Sequence, residues 1–184
     1  MEVTARNTVF EGKYVRIVEK TFRREGRPDR VWESVERRNV HGRGAVVIIA
    51  VTADGELLFE KNWRAPTESY VIQFPAGLTD LEGESEEDAA RRELLEETGY
   101  AAGKLILVIS SPLSPALAST RAMHYFAPDV WYVGEVSTDD AEEIEVVRVP
   151  LGSADEFMRD LPPGVELDLR VPGVLLIMRN KGLI

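Results

Sequence analysis

The chain has 184 residues, 44% hydrophobic and 29% charged, which suits one ordinary globular domain with a small appendage and excludes an intrinsically disordered protein. The formal net charge of −10 at pH 7 argues against a general nucleic-acid binder, because such proteins need a surface field that attracts phosphates. The sequence contains no Cys, so disulfides and thiolate metal sites are excluded, and any metal ion must be bound by oxygen or imidazole ligands.

The first part of the chain is predicted to form a small β-hairpin. Residues 14–24 and 30–38 have the pattern of strands, and residues 26–29 between them are typical of a turn. A two-stranded hairpin is too small to be stable alone. We therefore assign residues 1–43 to an N-terminal β region and residues 44–184 to the main domain.

The main domain is predicted to be a sheet flanked by helices. Residues 45–51 are β-branched and apolar on both faces, as expected for a central strand, and the Asp54-Gly55 turn follows them. The later predicted strands cover residues 57–61, 70–74, 105–110, 122–127, 130–136 and 144–149. A loop is predicted over residues 76–84, and helices over residues 153–161 and 173–180. This alternation indicates an α/β layered domain.

A helix is also predicted over Glu86–Thr98. Ser85 can cap it, acidic residues in its first turn suit the helix dipole, and Gly99 can end it. Three carboxylates at spacing i, i+3 and i+4 share one face of this helix: Glu93, Glu96 and Glu97. Two interpretations are open for this face alone: a solvated surface with Arg91 and Arg92 as local partners, or a metal site.

The sequence around this helix resembles the Nudix box. Seven residues separate Glu84 from Arg92, and the run Arg92-Glu93-Leu94-Leu95-Glu96-Glu97-Thr98-Gly99-Tyr100 matches every later position of that motif. One departure is the preceding loop, where six residues rather than the usual five separate Gly77 from Glu84. The extra residue lies before the helix, so it does not change the spacing of the three glutamates, which we call the box carboxylates.

The resemblance implies a fold and a metal-dependent hydrolase. The fold of the family is an α/β/α sandwich with a mixed sheet, here preceded by a small N-terminal antiparallel β region. Hydrolysis of a pyrophosphate requires neutralisation of its oxygens and activation of a water. The resemblance implies that the box carboxylates and the backbone carbonyl of Ala76 bind more than one Mg²⁺ or Mn²⁺ ion. It also implies that Arg92 orients a box carboxylate and that Glu96 takes part in catalysis.

Other segments resemble the ADP-ribose pyrophosphatase branch of this family. They are Gln73-Phe74-Pro75-Ala76-Gly77 before the box, Pro115 sixteen positions after Gly99, and the N-terminal runs Gly12-Lys13-Tyr14-Val15 and Arg30–Arg37. This resemblance implies a nucleoside diphosphate sugar as substrate. ADP-ribose is the first candidate, and its products are AMP and ribose 5-phosphate.

The same resemblance implies which side chains bind the substrate. Trp32 and Tyr14 would hold the adenine through their aromatic faces, Arg37 and Arg64 would contact phosphate or ribose oxygens, and Pro115 would mark the substrate loop. The alternative is structural. In that case the two aromatic side chains cover the apolar face of the hairpin, and the two arginines are surface charges.

Two departures from the branch leave the substrate open. Relatives often have Glu where Gln73 stands, and residues 116–121 differ from the usual Gly followed by Ser, Asp or Glu residues. GDP-mannose, a dinucleoside polyphosphate or an oxidised nucleotide are therefore alternative substrates. Outside the enzyme class, the alternative is a Nudix module that senses a ligand without catalysis, although the intact box carboxylates argue against it.

The general base is expected in an acidic loop late in the chain, over residues 139–145. Glu142 is the first candidate and Glu143 the second, because both precede the strand predicted at residues 144–149. A plain acidic turn is the alternative for either residue. In some relatives a box carboxylate supplies the base instead.

The expected partners are a small nucleotide-sugar substrate and a second copy of the chain, without nucleic acid or membrane. A homodimer is expected because the hairpin cannot bury its apolar face alone and because the family exchanges N-terminal strands between copies. The longest apolar run, residues 45–51, has only the length of a strand, and residues 1–7 lack a signal-peptide pattern, so a cytoplasmic location is predicted. His124 is predicted to be a structural residue of a strand.

Overall fold

The structure is a computed structural model that describes residues 1–40, 44–134 and 143–184. Within residues 1–40 it contains a three-stranded antiparallel sheet in the order β1-β2-β3, called here the N-terminal sheet. Its strands are β1 (Glu2–Glu11), β2 (Val15–Arg23) and β3 (Arg30–Arg37). The predicted hairpin is confirmed as β2 and β3. The predicted domain boundary adjoins residues 41–43, which lie outside the described residues, and the division into two domains stays a prediction.

Strand β1 was not predicted. All ten of its residues are exposed, and its pairing with β2 is interrupted by two irregularities, one between Val3 and Ala5 and one between Thr8 and Phe10. Each irregularity shifts the alternation of side chains between the two faces of the strand. The sequence of β1 therefore has no sustained period of two.

The described part of the main domain contains a nine-stranded mixed sheet. Six strands follow the order β12-β6-β5-β4-β10-β8, while β11 pairs with β5, β7 pairs with β4 and β9 pairs with β10. The strands are β4 (Gly44–Thr52), β5 (Glu56–Arg64), β6 (Ser69–Gln73), β7 (Ala76–Leu78), β8 (Tyr100–Ala101), β9 (Ile106–Pro112), β10 (Arg121–Tyr132), β11 (Ile144–Pro150) and β12 (Val165–Leu167). The helices are α1 (Glu86–Thr98), α2 (Ala154–Arg159), which follows a 3-10 turn at Leu151–Ser153, and α3 (Arg170–Asn180).

Different helices cover the two faces of this sheet. Side chains alternate along a strand, so Val47 and Ile49 of β4 pack on the side of α2 and α3, whereas Val46 and Ile48 pack on the side of α1. All nine residues of β4 are buried, as expected for a central strand. The arrangement confirms the expected α/β/α sandwich with a mixed sheet. None of the helices in the described ranges combines the length and the apolar character needed to cross a bilayer.

Three details of the sheet differ from the prediction. The loop predicted over residues 76–84 begins with strand β7, because Ala76–Leu78 pairs with β4. The two strands predicted at residues 122–127 and 130–136 form a single strand, β10, which continues through an irregularity at Asp129, where φ is 53°. Strands β8 and β12 were not predicted, because segments of two and three residues carry no periodicity.

Helix α1 begins and ends where its sequence predicts. The Oγ atom of Ser85 accepts a hydrogen bond of 3.1 Å from the backbone N–H of Asp88. Gly99 adopts a left-handed φ of 73°, and its N–H donates to the carbonyl of Leu95 at 2.8 Å. Leu94 is fully buried against the sheet. The fixed ends and the buried face set the rotation of α1 and therefore the direction of the box carboxylates.

Candidate active site

Arg92 is the centre of the charged network on α1. Its Nε and Nη2 atoms donate to the two carboxylate oxygens of Glu84 at 2.9 and 3.0 Å, in bidentate geometry. Its Nη1 atom donates to Glu93 at 2.9 Å and to Glu96 at 3.1 Å, and Nη2 also donates to the carbonyl of Leu78 at 3.2 Å. The surrounding carboxylates, Glu84 first, raise the pKa of Arg92. Arg92 thus holds two box carboxylates in fixed positions between α1 and β7.

Glu93 lies directly against the backbone of β7. A Cβ atom on Gly77 would lie 1.8 Å from the Cδ atom of the Glu93 carboxylate, far inside van der Waals contact. Only glycine leaves room for this approach. Burial raises the pKa of Glu93, and the positive charge of Arg92 acts against that shift. Gly77 therefore has a packing role that explains why the motif requires glycine here.

Glu97 is buried together with a second carboxylate, that of Glu60 on β5. Glu97 is 5% exposed, and Glu60 is fully buried. The Oε2 atom of Glu97 accepts a hydrogen bond of 2.9 Å from the backbone N–H of Ala76. Burial raises the pKa of Glu97, and the neighbouring charge of Glu60 and a hydrogen bond between the two side chains raise it further. Two such carboxylates cannot both be charged at low cost, so the pair is suited to share a proton or to bind a cation.

Gln73 links Glu60 to Arg64. The Nε and Nη2 atoms of Arg64 donate to Oε1 of Gln73 at 3.0 and 2.8 Å, and Nε2 of Gln73 donates to Oε2 of Glu60 at 3.3 Å. Because an arginine can only donate, its contacts fix the orientation of the Gln73 amide. Glu60 was not among the residues selected from the sequence. The sequence feature that could have identified it is the position of this glutamate directly after three apolar residues in a predicted strand.

Trp32 and Pro115 line the same pocket, which lies at the N-terminal sheet. The pocket has a volume of about 420 Å³ and is formed by strands β1 to β3 and by the loop between β9 and β10. The indole N–H of Trp32 donates to the carbonyl of Ala116 at 2.9 Å, and the N–H of Val35 donates to the carbonyl of Leu117 at 2.8 Å. In the ranges that the structure describes, no box carboxylate lines this pocket.

The other predicted substrate residues have different surroundings. Tyr14 is 63% exposed, and the Nζ atom of Lys13 lies 4.7 Å from the centroid of its ring. Arg37 is exposed at the end of β3. Neither residue lines the pocket of Trp32. Arg64 is partly buried beside Gln73, so the structure brings it to the Glu60–Glu97 pair rather than to the N-terminal sheet.

The two candidate bases are not equivalent. Glu142 lies outside the described residues. Glu143 accepts a hydrogen bond of 2.9 Å from the hydroxyl of Tyr70, and the Nζ atom of Lys61 lies 4.8 Å from the centroid of that tyrosine ring. Lys61 and Glu60 are adjacent in β5, so their side chains point to opposite faces of the sheet. The structure therefore places Glu143 on the face away from the box carboxylates and does not bring it to them.

The comparisons with known proteins agree with this geometry. The sequence model of the NUDIX domain matches residues 41–166. The chain belongs to the Nudix family. This Nudix hydrolase is 33% identical to the ADP-ribose pyrophosphatase of Bacillus subtilis over 152 residues, 82% of this chain and 78% of that protein. It is 30% identical to the GDP-mannose pyrophosphatase of Yersinia enterocolitica over 129 residues, 65% of each chain.

A solved structure gives the same result for the fold. The crystal structure of an ADP compounds hydrolase matches this Nudix hydrolase with a TM-score of 0.81 and 27% sequence identity, covering 99% of this chain and 95% of that chain. The match includes the N-terminal sheet as well as the main domain, because almost all of both chains is covered.

Nudix hydrolases generally use divalent metal ions, and the residues of this site fit such an ion. The cluster offers oxygen donors, which hard cations prefer. Within the described residues, no three acidic or imidazole side chains already surround one point, since Arg92 holds Glu93 and Glu96 while Glu97 faces Ala76. Burial first, and then the neighbouring carboxylates, raise the pKa of Glu97, and a bound cation would lower it again. The predicted metal ligands stay predictions.

Proposed function

We propose that this Nudix hydrolase cleaves the pyrophosphate of ADP-ribose, or of a related nucleoside diphosphate sugar, and releases AMP and ribose 5-phosphate with Mg²⁺ or Mn²⁺ as cofactor. The observation that carries the proposal is the packing of two box carboxylates against β7, that of Glu97 at Ala76 and that of Glu93 at Gly77. It supplies rigidly held oxygen donors beside the β7 backbone, as metal-assisted pyrophosphate hydrolysis requires. The similarity to the ADP-ribose pyrophosphatase of Bacillus subtilis supports the substrate class.

The residues of α1 and β7 have separate roles in this proposal. The box carboxylates and the carbonyl of Ala76 hold more than one cation. When bound, these cations neutralise phosphate oxygens and lower the pKa of the attacking water. Arg92 keeps Glu93 and Glu96 in their orientations, because it donates to both. Glu142 is the first candidate to accept the proton of the water, and Glu96, whose side chain is 44% exposed, is the second.

The substrate base is proposed to bind in the pocket of Trp32 and Pro115. Its volume of about 420 Å³ lies in the range of small-molecule sites. The indole N–H of Trp32 is already bound to Ala116, so the aromatic face is what the residue offers to a ligand. Arg64 is proposed to contact a phosphate. Tyr14 and Arg37, both exposed on the N-terminal sheet, are proposed as additional contacts.

A homodimer is proposed, because it would bring the N-terminal sheet of one copy to the box carboxylates of the other. Strand β1 is exposed along its whole length, including Val9 and Phe10, and two copies could cover it. Light scattering at micromolar concentration should give twice the mass of the chain. A monomer under those conditions contradicts the dimer. The cytoplasm is retained as the predicted location.

The function is tested by incubating the purified chain with ADP-ribose and Mg²⁺ and separating the products. We expect equal amounts of AMP and ribose 5-phosphate, and no turnover when EDTA removes the cation. Absence of AMP over a wide range of enzyme concentrations would contradict the proposal.

The Glu97→Gln variant tests the metal site within the same assay. We expect kcat to fall by at least about 100-fold, since loss of residues that only support a metal ligand already costs up to that factor. The melting temperature should not fall, because the raised pKa of Glu97 favours its neutral form, which glutamine resembles in size and hydrogen bonding. Glu166→Gln, at an exposed position of β12, is the matched control and should keep wild-type activity. Equal kcat values for the two variants would count against a catalytic role for Glu97.

GDP-mannose is the second candidate substrate. The similarity to a GDP-mannose pyrophosphatase favours it, as does the sequence of residues 116–121, whose first members line the Trp32 pocket. A panel of ADP-ribose, GDP-mannose and other nucleotide sugars separates the two. A higher kcat/KM for GDP-mannose than for ADP-ribose would identify GDP-mannose as the preferred substrate. The proposed hydrolysis of a pyrophosphate would still stand.

A further inference from the structure

We propose that Lys20 of β2 contacts the base of the substrate and favours a base with a keto oxygen, such as guanine, over adenine. The inference rests on the proposed function, because it concerns the base that is proposed to bind in the pocket of Trp32. Lys20 lies outside the Nudix box and outside the N-terminal runs that resemble the ADP-ribose pyrophosphatase branch. It therefore adds a specificity-determining side chain that no motif contains.

Lys20 is the cross-strand neighbour of Trp32. The two residues are directly opposite in the pairing of β2 with β3, and both line the pocket. Side chains in this relation have Cβ atoms about 5 Å apart. A base that stacks on the indole face therefore has one of its edges beside the lysine. In the ranges that the structure describes, Lys20 is the only cationic side chain of the pocket wall.

The ammonium group of Lys20 is held in place by Glu36. The Lys20 side chain is 17% exposed, and its Nζ atom lies 2.8 Å from Oε1 of Glu36. Arg16 and Arg6 also pair with Glu36, at 2.9 and 3.4 Å, so three cations share one carboxylate. The cluster as a whole is thus positively charged, and an ammonium has three N–H donors. Glu36 orients Lys20 without cancelling the charge that the cluster presents to the pocket.

The other polar side chains described in the pocket wall have different properties. Glu2 is exposed near the start of β1, and a carboxylate accepts hydrogen bonds but does not donate them. The hydroxyl of Ser34 already donates to a backbone carbonyl of β2 at 3.3 Å. Ser119 is exposed and neutral. Lys20 is therefore the charged donor that a base meets beside the indole.

A cationic donor distinguishes the two purines at one edge. Guanine carries two acceptors there, N7 and O6, whereas adenine carries the acceptor N7 and the amine N6. Because lysine has no acceptor, it can bind both guanine atoms but has no favourable contact with the amine of adenine. Adenine keeps its stacking on Trp32 and its contact at N7. Lys20 therefore changes the relative affinity for the two bases rather than excluding one of them.

The test measures the binding of inosine monophosphate (IMP) and AMP to the metal-free chain by isothermal titration calorimetry. IMP carries the keto oxygen where AMP carries the amine. For Lys20→Met we expect the Kd of IMP divided by the Kd of AMP to rise at least about fivefold above the wild-type ratio, as loss of a good lysine contact to these base atoms predicts. An unchanged ratio overturns the proposal.

Arg16→Met is the matched control. Arg16 pairs with the same carboxylate at nearly the same distance, but it is not among the described residues that line the pocket. Each variant leaves Glu36 with two cations, so both should fold, which thermal unfolding checks. We expect Arg16→Met to keep the wild-type ratio of Kd values. An equal rise in both variants means that the ratio follows the charge of the cluster rather than a contact of Lys20, and it overturns the proposal.

The wild type gives a second decision, which also covers the case of a Lys20→Met chain that does not fold. The monophosphate of unsubstituted purine ribonucleoside has N7 but neither the keto oxygen nor the amine. We expect IMP to bind the wild type more tightly than this nucleotide does, because the keto oxygen gives Lys20 a second acceptor. Equal or weaker binding of IMP overturns the proposal.

The proposed function fails differently. If the Kd ratio responds to Lys20→Met but the chain hydrolyses neither ADP-ribose nor GDP-mannose, the function is wrong and the role of Lys20 stands. If the chain hydrolyses ADP-ribose and the ratio does not respond, the function stands and the role of Lys20 is wrong. If neither monophosphate binds measurably, GDP-mannose and ADP-mannose, which differ only in the base, decide. Lys20→Met should then lower the kcat/KM of GDP-mannose relative to that of ADP-mannose at least about fivefold, and no decrease overturns the proposal.

Discussion

The N-terminal sheet and the main domain differ in charge and in burial. Residues 1–40 contain ten Lys and Arg against seven Asp and Glu, whereas residues 41–184 contain twelve against 25. The main domain buries every residue of β4, whereas the N-terminal sheet exposes every residue of β1. A basic sheet with an uncovered strand suits contact with an acidic surface, such as the main domain of a second copy. The net charge of −10 is therefore the sum of a basic N-terminal region and an acidic main domain.

The polar contacts of the two regions differ in the same way. In the main domain, Glu60 and Glu97 are buried, and a backbone N–H or a side-chain amide donates to each of them. In the N-terminal sheet, Glu36 forms ion pairs with three cations, of which Arg6 and Arg16 are largely exposed. Small changes should therefore have large effects in the first region and small effects in the second.

The largest effect is expected for Gly77→Ala, in the main domain. The new Cβ would collide with the Glu93 carboxylate and displace it, and a displacement of about 1 Å in an active site costs roughly 100-fold in rate. Steady-state kinetics with ADP-ribose should show this loss in kcat. Gly152→Ala is the control, because a Cβ there meets nothing within 4 Å. Wild-type kcat in Gly77→Ala would show that the close packing of the site is not required.

A smaller effect is expected for Trp32→Ala, in the N-terminal sheet. Loss of an aromatic contact of about 1.5 kcal/mol should raise KM roughly tenfold and leave kcat nearly unchanged. Val31→Ala, the exposed neighbour on the other face of β3, should leave KM unchanged. Equal KM values for both variants would remove Trp32 from the substrate site. A fall in kcat instead of a rise in KM would mean that the N-terminal sheet affects the chemical step rather than substrate binding.

The third prediction concerns acid stability of the main domain. Burial lowers the pKa of His124 from its ordinary value of 6.5, and the charge of Arg170 lowers it further. As the pH falls, His124 is therefore protonated at a higher pH in the unfolded chain than in the folded chain. The contribution of His124 to stability is therefore present above about pH 6.5 and is lost as the pH falls towards its lowered pKa.

Urea unfolding at pH 7.5, 6.5 and 5.5 tests the role of His124. His124→Leu should show a smaller decrease in the free energy of unfolding over this range than the wild type. Parallel curves for wild type and His124→Leu would exclude His124 as the titrating group.

The smallest effect is expected for Glu36→Gln, in the N-terminal sheet. Hydrogen bonds from Lys20 and then Arg16 lower the pKa of Glu36 below its ordinary 4.5. Its stabilising effect is thus present above about pH 4.5 and is lost as the pH falls through the lowered pKa. Since two of its three partners, Arg6 and Arg16, are exposed and Glu36 is only partly buried, we expect a loss of less than about 1 kcal/mol at pH 7. Glu33→Gln, exposed on the same strand, is the control for urea unfolding. A much larger loss would show that the N-terminal sheet is as tightly packed as the main domain.

The sequence by itself determined the local features of this protein. Helix α1 could be predicted with its ends, because Ser85 and Gly99 act on backbone groups within one turn. The spacing of the box carboxylates and the central strand β4 followed from the periods of a helix and a strand. Strand β1 could not be predicted, because its irregular pairing with β2 removes the pattern.

Only the tertiary structure decided which residues meet. Glu60 and Glu97 are 37 positions apart in the printed sequence, and only the packing of α1 on the sheet brings them together. Glu143 belongs to the predicted acidic loop, yet the pairing of β11 with β5, which begins at the next residue, brings its side chain to Tyr70. The physical reason is the same in both cases. A period of two or 3.6 residues fixes the direction of a side chain within its own element, whereas the neighbour that it meets depends on how separate elements pack.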